Sequence, residues 1–186
     1  MWTYNRYLLY PVKITKPNLD LAKHIVTLIG GYSGELAASL RYLNQRHTMP
    51  TDEGKALLTD IGTEEMAHVE ILASMVKQLT KGASVEEIKK SSNLSNYVEH
   101  RYNFFPVNET GNSFTVDYYA STGDAITDLY EDLAAEQKAR SVYENIMNLT
   151  NDPEILGPLS FLRQREIIHF NRFKDLLEKY LSANIK

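Results

Sequence analysis

Two short stretches of the sequence place a glutamate three residues before a histidine, in a chain that has only five histidines. In GTEEMAHVE, at 62–70, the pair is Glu65 and His68, and in REIIHF, at 165–170, it is Glu166 and His169. On a helix this interval puts both side chains on one face, with Cβ atoms about 5–6 Å apart. A carboxylate and an imidazole so placed can reach one metal ion, although either pair alone is more often a solvated helix face.

Four long helices are predicted by the spacing of apolar residues, and these helices would position the two pairs. Pro50 suits the first turn of the second helix, and Asp152 followed by Pro153 marks the start of the fourth. Ser84 and Glu87 form a capping box, which predicts a further short helix. The four long helices are expected at about 18–46, 50–82, 124–149 and 152–182.

The segment between the second and third long helices, residues 91–123, has little helical periodicity and is rich in aromatic residues, asparagine and glycine. Segments of this length without helical pattern are usually functional or are crossover connections. Two short connections and one long one are typical of a ferritin-like four-helix bundle. The prediction is therefore an all-α, ferritin-like four-helix bundle in a single domain, 1–186, with an N-terminal segment, 1–17, and one long crossover loop between helices 2 and 3.

The depth of two further glutamates in the bundle tests this interpretation. Two residues of an antiparallel helix pair lie at the same level when they are equally far from the turn. Glu35 and Glu65 are 30 residues apart with Pro50 midway, and Glu136 and Glu166 are 30 apart with a midpoint in the next turn. The whole set repeats at an offset of 101 residues, pairing Glu35 with Glu136, Glu65 with Glu166 and His68 with His169.

Bundles of this class hold two metal ions with one glutamate from each of two helices and Glu-x-x-His from each of the other two. Apolar neighbours around both histidines and small residues around Glu35 indicate burial, and a buried carboxylate without a partner is very costly. Carboxylates and imidazoles suit manganese or iron, and ligand type alone does not separate the two metals. A carboxylate-rich metal pair favours redox chemistry with oxygen or peroxide.

The composition argues against several other functions. A net charge of −4 without a dense Lys/Arg cluster argues against a nucleic-acid partner, and the lack of cysteine excludes disulfides, thiolate metal sites and cysteine nucleophiles. The N-terminus lacks a signal-peptide pattern and no apolar run approaches 18 residues, so we expect cytoplasmic synthesis and no membrane partner.

The stretches GELAASLRYLNQRHTMP, KALLTDIGTEEMAHVEIL and DLAAEQKARSVYENI, together with the opening MWTYNRYLLYPVKI, closely resemble the manganese catalases, especially their short spore-coat (CotJC-like) members. This resemblance covers essentially the whole chain. It implies a di-manganese centre that disproportionates hydrogen peroxide to water and oxygen. On this basis Glu35 and His68 would bind one ion, Glu136 and His169 the other, and Glu65 would bridge them.

The resemblance also bears on four neighbouring positions. It makes Glu166 a proton carrier beside the metals' solvent ligands, whereas the symmetry with Glu65 indicates a direct ligand. Tyr42 would support a ligand from outside the metal shell, or pack in the core. Ala135 stands where some catalases have a basic residue, and Arg140, one turn later, is a candidate to compensate.

The resemblance further implies a homo-oligomer, hexameric in much of the family, and a place in the spore coat of a spore-forming bacterium. The chain lacks the longer C-terminal region of the larger catalases, which leaves the assembly open. The aromatic segment 97–119 is a candidate contact with other coat proteins. Two alternatives to a catalase stay open: a di-iron peroxidase or oxidase on the same bundle, and a structural coat protein whose metal site mainly stabilises the fold.

Overall fold

Long α-helices make up most of the chain that the structure describes. The computed structural model describes residues 7–91, 108, 110–119 and 121–185. Six α-helices lie in these ranges: α1 Leu19–Gly30, α2 Glu35–Gln45, α3 Asp52–Leu79, α4 Val85–Lys90, α5 Ala125–Met147 and α6 Pro153–Ser182. A 3₁₀ turn, Val116–Tyr119, precedes α5.

Helices α2, α3, α5 and α6 form a four-helix bundle. Helix α2 packs on α3 and α5 packs on α6, while contacts of α3 with α6 and of α2 with α5 join the two hairpins. Helix α1 packs against α3 and α5 and extends the α2 side of the bundle. The predicted bundle is confirmed.

The prediction of one continuous helix over about 18–46 was wrong, because α1 and α2 are separate helices. A side chain at Gly34 would not fit, since its Cβ would lie 2.8 Å from the carbonyl oxygens of Leu28 and Ile29. Gly34, in extended conformation, is the N-cap of α2, and Glu35 is the first residue of this helix. A carboxylate is favoured there, because the N-terminus of a helix carries partial positive charge.

The remaining helices begin close to the residues predicted, and each begins at a side-chain cap. The side chains of these capping residues accept a hydrogen bond from a backbone N–H of the first turn, which would otherwise have no partner. Ser84 and Glu87 form the predicted capping box. The other caps are Asn18, Thr51, Asp124 and Asp152.

Two hydrophobic clusters fill the bundle and leave a polar layer between them. On α3, Leu58 and Ile61 belong to one cluster, and Ile71 and Leu72 belong to the other. The stretch between these pairs, 62–70, is the one that carries the first Glu-x-x-His pair. The apolar clusters thus fix the depth of the candidate ligands.

The predicted crossover, 91–123, includes residues 92–107, 109 and 120, which lie outside the described residues. The 3₁₀ turn at its end packs against α2. None of the described helices is both long enough and apolar enough to cross a membrane.

Candidate metal centre

The six predicted ligands project into one buried space at the centre of the bundle. Glu35 comes from α2, Glu136 from α5, and the two Glu-x-x-His pairs come from α3 and α6. Each of the six side chains is at most 3% exposed. Their ligand atoms form two overlapping groups, with all atoms of a group within 4.8 Å of one another: Glu35, Glu65, His68 and Glu166, and Glu65, Glu136, Glu166 and His169.

Glu65 lies between the two histidines and turns one carboxylate oxygen to each. Its Oε2 is 2.6 Å from Nδ1 of His68, and its Oε1 is 2.7 Å from Nδ1 of His169. Glu35 Oε2 lies 3.5 Å from His68 Nδ1, and Glu136 Oε2 lies 3.6 Å from His169 Nδ1. Glu65 thus offers one oxygen to each half of the site.

Two tyrosines support the outer glutamates across the bundle. Tyr42 on α2 donates to Oε1 of Glu136 on α5 at 2.5 Å, and Tyr143 on α5 donates to Oε1 of Glu35 on α2. The structure therefore places Tyr42 beside a candidate ligand, Glu136, which belongs to the opposite hairpin. Tyr143 was missed in the sequence, although the offset of 101 residues from Tyr42 could have identified it.

Glu64, which is bound by Arg165, faces the outer sides of both imidazoles, and the sequence analysis missed this pair as well. Glu64 Oε1 lies 3.5 Å from Nε2 of His68, and Oε2 lies 3.3 Å from Nε2 of His169. Arg165 donates to both Glu64 oxygens, from Nε at 2.5 Å and from Nη2 at 3.0 Å. Partners of this kind fix the orientation and tautomer of metal-binding histidines. Glu64 and Arg165 are also 101 residues apart.

Opposite charges dominate the electrostatics between Glu65 and the histidines. Burial alone would raise the pKa of Glu65, but the adjacent imidazoles of His169 and His68 hold it well below its ordinary value. Burial alone would lower the pKa of both histidines, but Glu65 and the other carboxylates raise it well above the ordinary value. The opposite pKa shifts thus favour positive charge next to the carboxylate of Glu65, which bound cations could supply.

The remaining glutamates of the site retain protons more readily than in water. Burial, followed by the charge of Glu65, raises the pKa of Glu35 to about 7. Burial also raises the pKa of Glu136 and, with three neighbouring carboxylates, raises that of Glu166 well above its ordinary value. Divalent ions would release these protons, because a metal ligand must be deprotonated.

Eight buried polar atoms of the site have no partner in hydrogen-bond geometry among the described residues, and this set of free donors and acceptors fits a metal pair. Buried nitrogen and oxygen atoms nearly always have a partner, and leaving one without a partner is costly. Carboxylate oxygens and imidazole nitrogens are the ligands that bundles of this class offer to paired iron or manganese. The site atoms that make no hydrogen bond to any described residue are Oε1 and Oε2 of Glu65, both ring nitrogens of His68 and of His169, Oε2 of Glu136 and Oε1 of Glu166.

A small cavity reaches the site between α2 and α5. Its volume of about 10 Å³ suits a single molecule of the size of water. Glu35 and Glu166 are the two candidate ligands in its wall, and the small side chains of Ala38, Ala135 and Ala139 leave the space open. A larger groove of about 970 Å³, beside Leu8 and α3, is lined by none of the six candidate ligands.

Arg140 does not supply the positive charge that Ala135 lacks. Its Nε donates to Gln137 Oε1 at 2.9 Å, and its Nη1 donates to Glu144 Oε2 at 2.7 Å. Its side chain is 29% exposed, so its guanidinium belongs to the surface of α5 rather than to the site.

Comparisons with known proteins show what this chain is similar to. The family model for manganese-containing catalases matches residues 1–184. Protein CotJC of Bacillus subtilis is 48% identical over 178 residues, covering 96% of this chain and 94% of that protein. A probable manganese catalase of Clostridium acetobutylicum is 34% identical over 168 residues, covering 90% of this chain and 75% of that protein.

The fold also matches a solved structure. The crystal structure of KatB, a manganese catalase from Anabaena PCC7120, superimposes with a TM-score of 0.88 at 28% identity. The match covers 96% of this chain and 80% of that one. The ferritin-like fold that the sequence predicted is confirmed.

Proposed function

Because the chain belongs to the family of manganese-containing catalases, we propose that it is a di-manganese catalase. Its reaction converts two molecules of hydrogen peroxide into two of water and one of oxygen. The observation that carries this proposal is the convergence of four glutamates and two histidines in two overlapping, fully buried groups.

Five of these residues are proposed as metal ligands. Glu35 and His68 hold one manganese ion, and Glu136 and His169 hold the other. Glu65 bridges the two ions, which is supported by its two oxygens, each within 2.7 Å of a different histidine. The hydrogen bond from Tyr42 engages Oε1 of Glu136 and leaves its Oε2 toward His169.

Glu166 is proposed as the group that moves protons during the reaction. A manganese pair held by these ligands would supply the redox chemistry, in which one peroxide is oxidised and another is reduced by two electrons. The two protons that the first peroxide releases must then reach the oxygen atoms of the second. Glu166 lines the cavity, and its raised pKa suits a carboxyl group that holds a proton between the two half-reactions.

We also propose that the protein works as a homo-oligomer in a spore coat. The support is the 48% identity to CotJC over nearly the whole of both chains, together with the spore-coat character of the subgroup that the sequence resembles. A purely structural coat protein with a stabilising metal site is the second candidate. Sedimentation of the purified protein measures the assembly, and fractionation of spores measures the location.

Elemental analysis and oxygen release on one preparation test the catalytic proposal. We expect two manganese ions per chain and oxygen evolution from hydrogen peroxide that stops when a chelator removes the metal. Glu53→Gln, on the exposed part of α3, is a matched control that leaves metal content and oxygen release unchanged. Metal without oxygen release would favour the structural role, and iron in place of manganese would favour a peroxidase or oxidase.

A further inference from the structure

One arginine lies in the wall of the cavity that leads to the site. Arg41 on α2 has a side chain only 2% exposed, and among the described residues it is the only lysine or arginine that is buried. It shares the cavity wall with Glu35 and Glu166. A buried guanidinium is costly unless its N–H groups find acceptors.

The contacts of Arg41 leave part of its donor capacity unused. Its Nη2 donates to the backbone carbonyl of Tyr118, in the 3₁₀ turn, at 2.5 Å. Its Nε lies 3.5 Å from Glu131 Oε1 and makes no hydrogen bond to a described residue. Asp132 is completely buried, and neither of its carboxylate oxygens makes a hydrogen bond to a described residue. Burial raises the pKa of Asp132, and the nearby charge of Arg41 acts in the opposite direction. A guanidinium has five N–H donors, so the fixed contacts do not saturate it.

We propose that Arg41 binds one end of the peroxide molecule at this cavity, which has room for about one oxygen atom, and stabilises the hydroperoxide anion that forms beside Glu166. This inference rests on the proposed function and names the group that recognises its substrate. In the step concerned, the Glu166 carboxylate takes one proton from hydrogen peroxide, which leaves HOO⁻ and a neutral carboxyl group. No electron moves in this step. The guanidinium offsets the new negative charge and donates hydrogen bonds to its oxygens.

The position of Arg41 also explains how the chain functions with Ala135 before Glu136. A small side chain at 135 keeps the cavity open, and the positive charge comes from α2 on the opposite wall. The carbonyl of Tyr118 holds the guanidinium from the outer side, so the end of the crossover fixes its direction.

Azide, a small linear anion, probes this role without requiring turnover. Manganese-loaded wild-type, Arg41→Gln and Arg41→Lys proteins are titrated with azide by absorption spectroscopy, and their metal content, KM and kcat are measured on the same preparations. We expect Arg41→Gln to keep both metals, to bind azide about tenfold more weakly and to raise KM by a similar factor, as expected for the loss of one charge-assisted hydrogen bond. Arg41→Lys, which keeps the charge, retains most of the azide affinity.

Two control variants separate anion binding from a structural role. Arg140→Gln removes an arginine whose partners lie outside the cavity and leaves azide affinity unchanged. Glu131→Gln removes the ion contact of Arg41 and keeps its charge in the cavity, so azide affinity does not fall. A structural role predicts instead that Glu131→Gln and Arg41→Gln weaken azide binding alike, and that result overturns the proposal.

A second result would also overturn the proposal for Arg41. It is an Arg41→Gln protein that holds both metals and binds azide as tightly as the wild type does. If Arg41→Gln does not fold, the azide affinity of Arg41→Lys tests the proposal instead. This variant keeps the positive charge, so a tenfold loss of azide affinity would contradict the proposed role. A wild-type protein that binds azide and releases no oxygen contradicts the catalase function, and the azide comparison still decides whether Arg41 binds the anion. A wild-type protein that takes up no manganese overturns both.

Discussion

At the scale of single residues, Glu65 and Glu166 hold equivalent places in the sequence but face different surroundings. Glu65 lies between the two imidazoles, whereas Glu166 lines the cavity. We expect Glu166→Gln to keep both metals, because the amide preserves size and the five proposed ligands remain. Oxygen evolution should fall by about 10²–10⁴-fold, the usual contribution of a positioned acid–base group.

Metal content and oxygen evolution, measured on the same preparation of Glu166→Gln, decide between the two roles of this residue. Joint loss of metal and activity would show that Glu166 is a ligand. Full metal with full activity would contradict both roles.

The bridging role of Glu65 predicts unequal effects of two alanine substitutions. Glu65→Ala should lose more metal than Glu35→Ala, because a bridging carboxylate serves both ions and screens their mutual repulsion. The metal-to-protein ratio after dialysis at constant pH measures the difference. Loss of one metal in each variant would count against bridging and would favour separate, independent sites.

The Glu64–Arg165 pair predicts a loss of metal affinity from outside the ligand set. Glu64→Gln removes the charge that faces Nε2 of both histidines, so their Nδ1 atoms are oriented less firmly toward the site. Metal affinity should fall by about 10–100-fold, the usual effect of losing such a partner. Competition with a chelator measures the affinity, with Glu53→Gln on the same helix as the control. An unchanged affinity would limit Glu64 to a surface ion pair with Arg165.

At the scale of helices, the pattern of the sequence was enough to predict the bundle and its six central side chains. Periodicity located the long helices, and the repeat of 101 residues placed the two hairpins in register. The interruption before Glu35 was missed, because it depends on contact between Gly34 and the carbonyl groups of the preceding helix. The contacts of Tyr143, Glu64 and Arg41 cross the bundle, so helical spacing along one segment did not reveal them. For Tyr143 the repeat of 101 residues held a signal that was not used.

The approach of α2 to α3 near the site depends on Gly62, one turn before Glu65. A Cβ at position 62 would lie 2.9 Å from Cγ of Leu43, and the carbonyl of Gly62 accepts a hydrogen bond from Ser39 at 2.7 Å. Alanine in a helix interior is normally favoured over glycine by about 0.8–1.0 kcal/mol. We expect Gly62→Ala to destabilise the protein nonetheless, by about 1–3 kcal/mol, through overpacking.

Urea unfolding of Gly62→Ala, Leu43→Ala and the double variant measures the free energy that the contact between a side chain at position 62 and Leu43 costs. The cost of Gly62→Ala should shrink in the Leu43→Ala background, because the side chain that it meets is then shorter. Equal costs in both backgrounds would place the strain elsewhere, and a stabilised single variant would show that α2 and α3 can separate freely.

At the scale of the whole molecule, the buried acidic groups make stability depend on pH and on metal together. Burial raises the folded-state pKa of Glu35 to about 7 from an ordinary value of 4.5, and it raises that of Asp132 well above its ordinary value. A carboxyl group whose pKa is higher in the folded state stabilises the fold fully at pH values below the unfolded pKa. That contribution is lost as pH rises through the folded pKa. The histidines of the site, whose pKa values are also raised, act in the same direction.

We therefore expect the metal-free protein to melt at a lower temperature at pH 8 than at pH 6, with a much smaller difference in the metal-loaded protein. Glu64 and Glu65, whose pKa values are lowered, lose their contribution only on the acid side of 4.5, so they do not oppose this trend. Metal ions take the place of the protons, which removes the cost of ionising the buried groups at pH 8.

Thermal unfolding followed by circular dichroism, with and without chelator, measures the four melting temperatures. Glu35→Gln should flatten the dependence in the metal-free protein, since its amide does not ionise. A metal-free protein that is more stable at pH 8 than at pH 6 would contradict the assignment of these buried groups as proton carriers in the absence of metal.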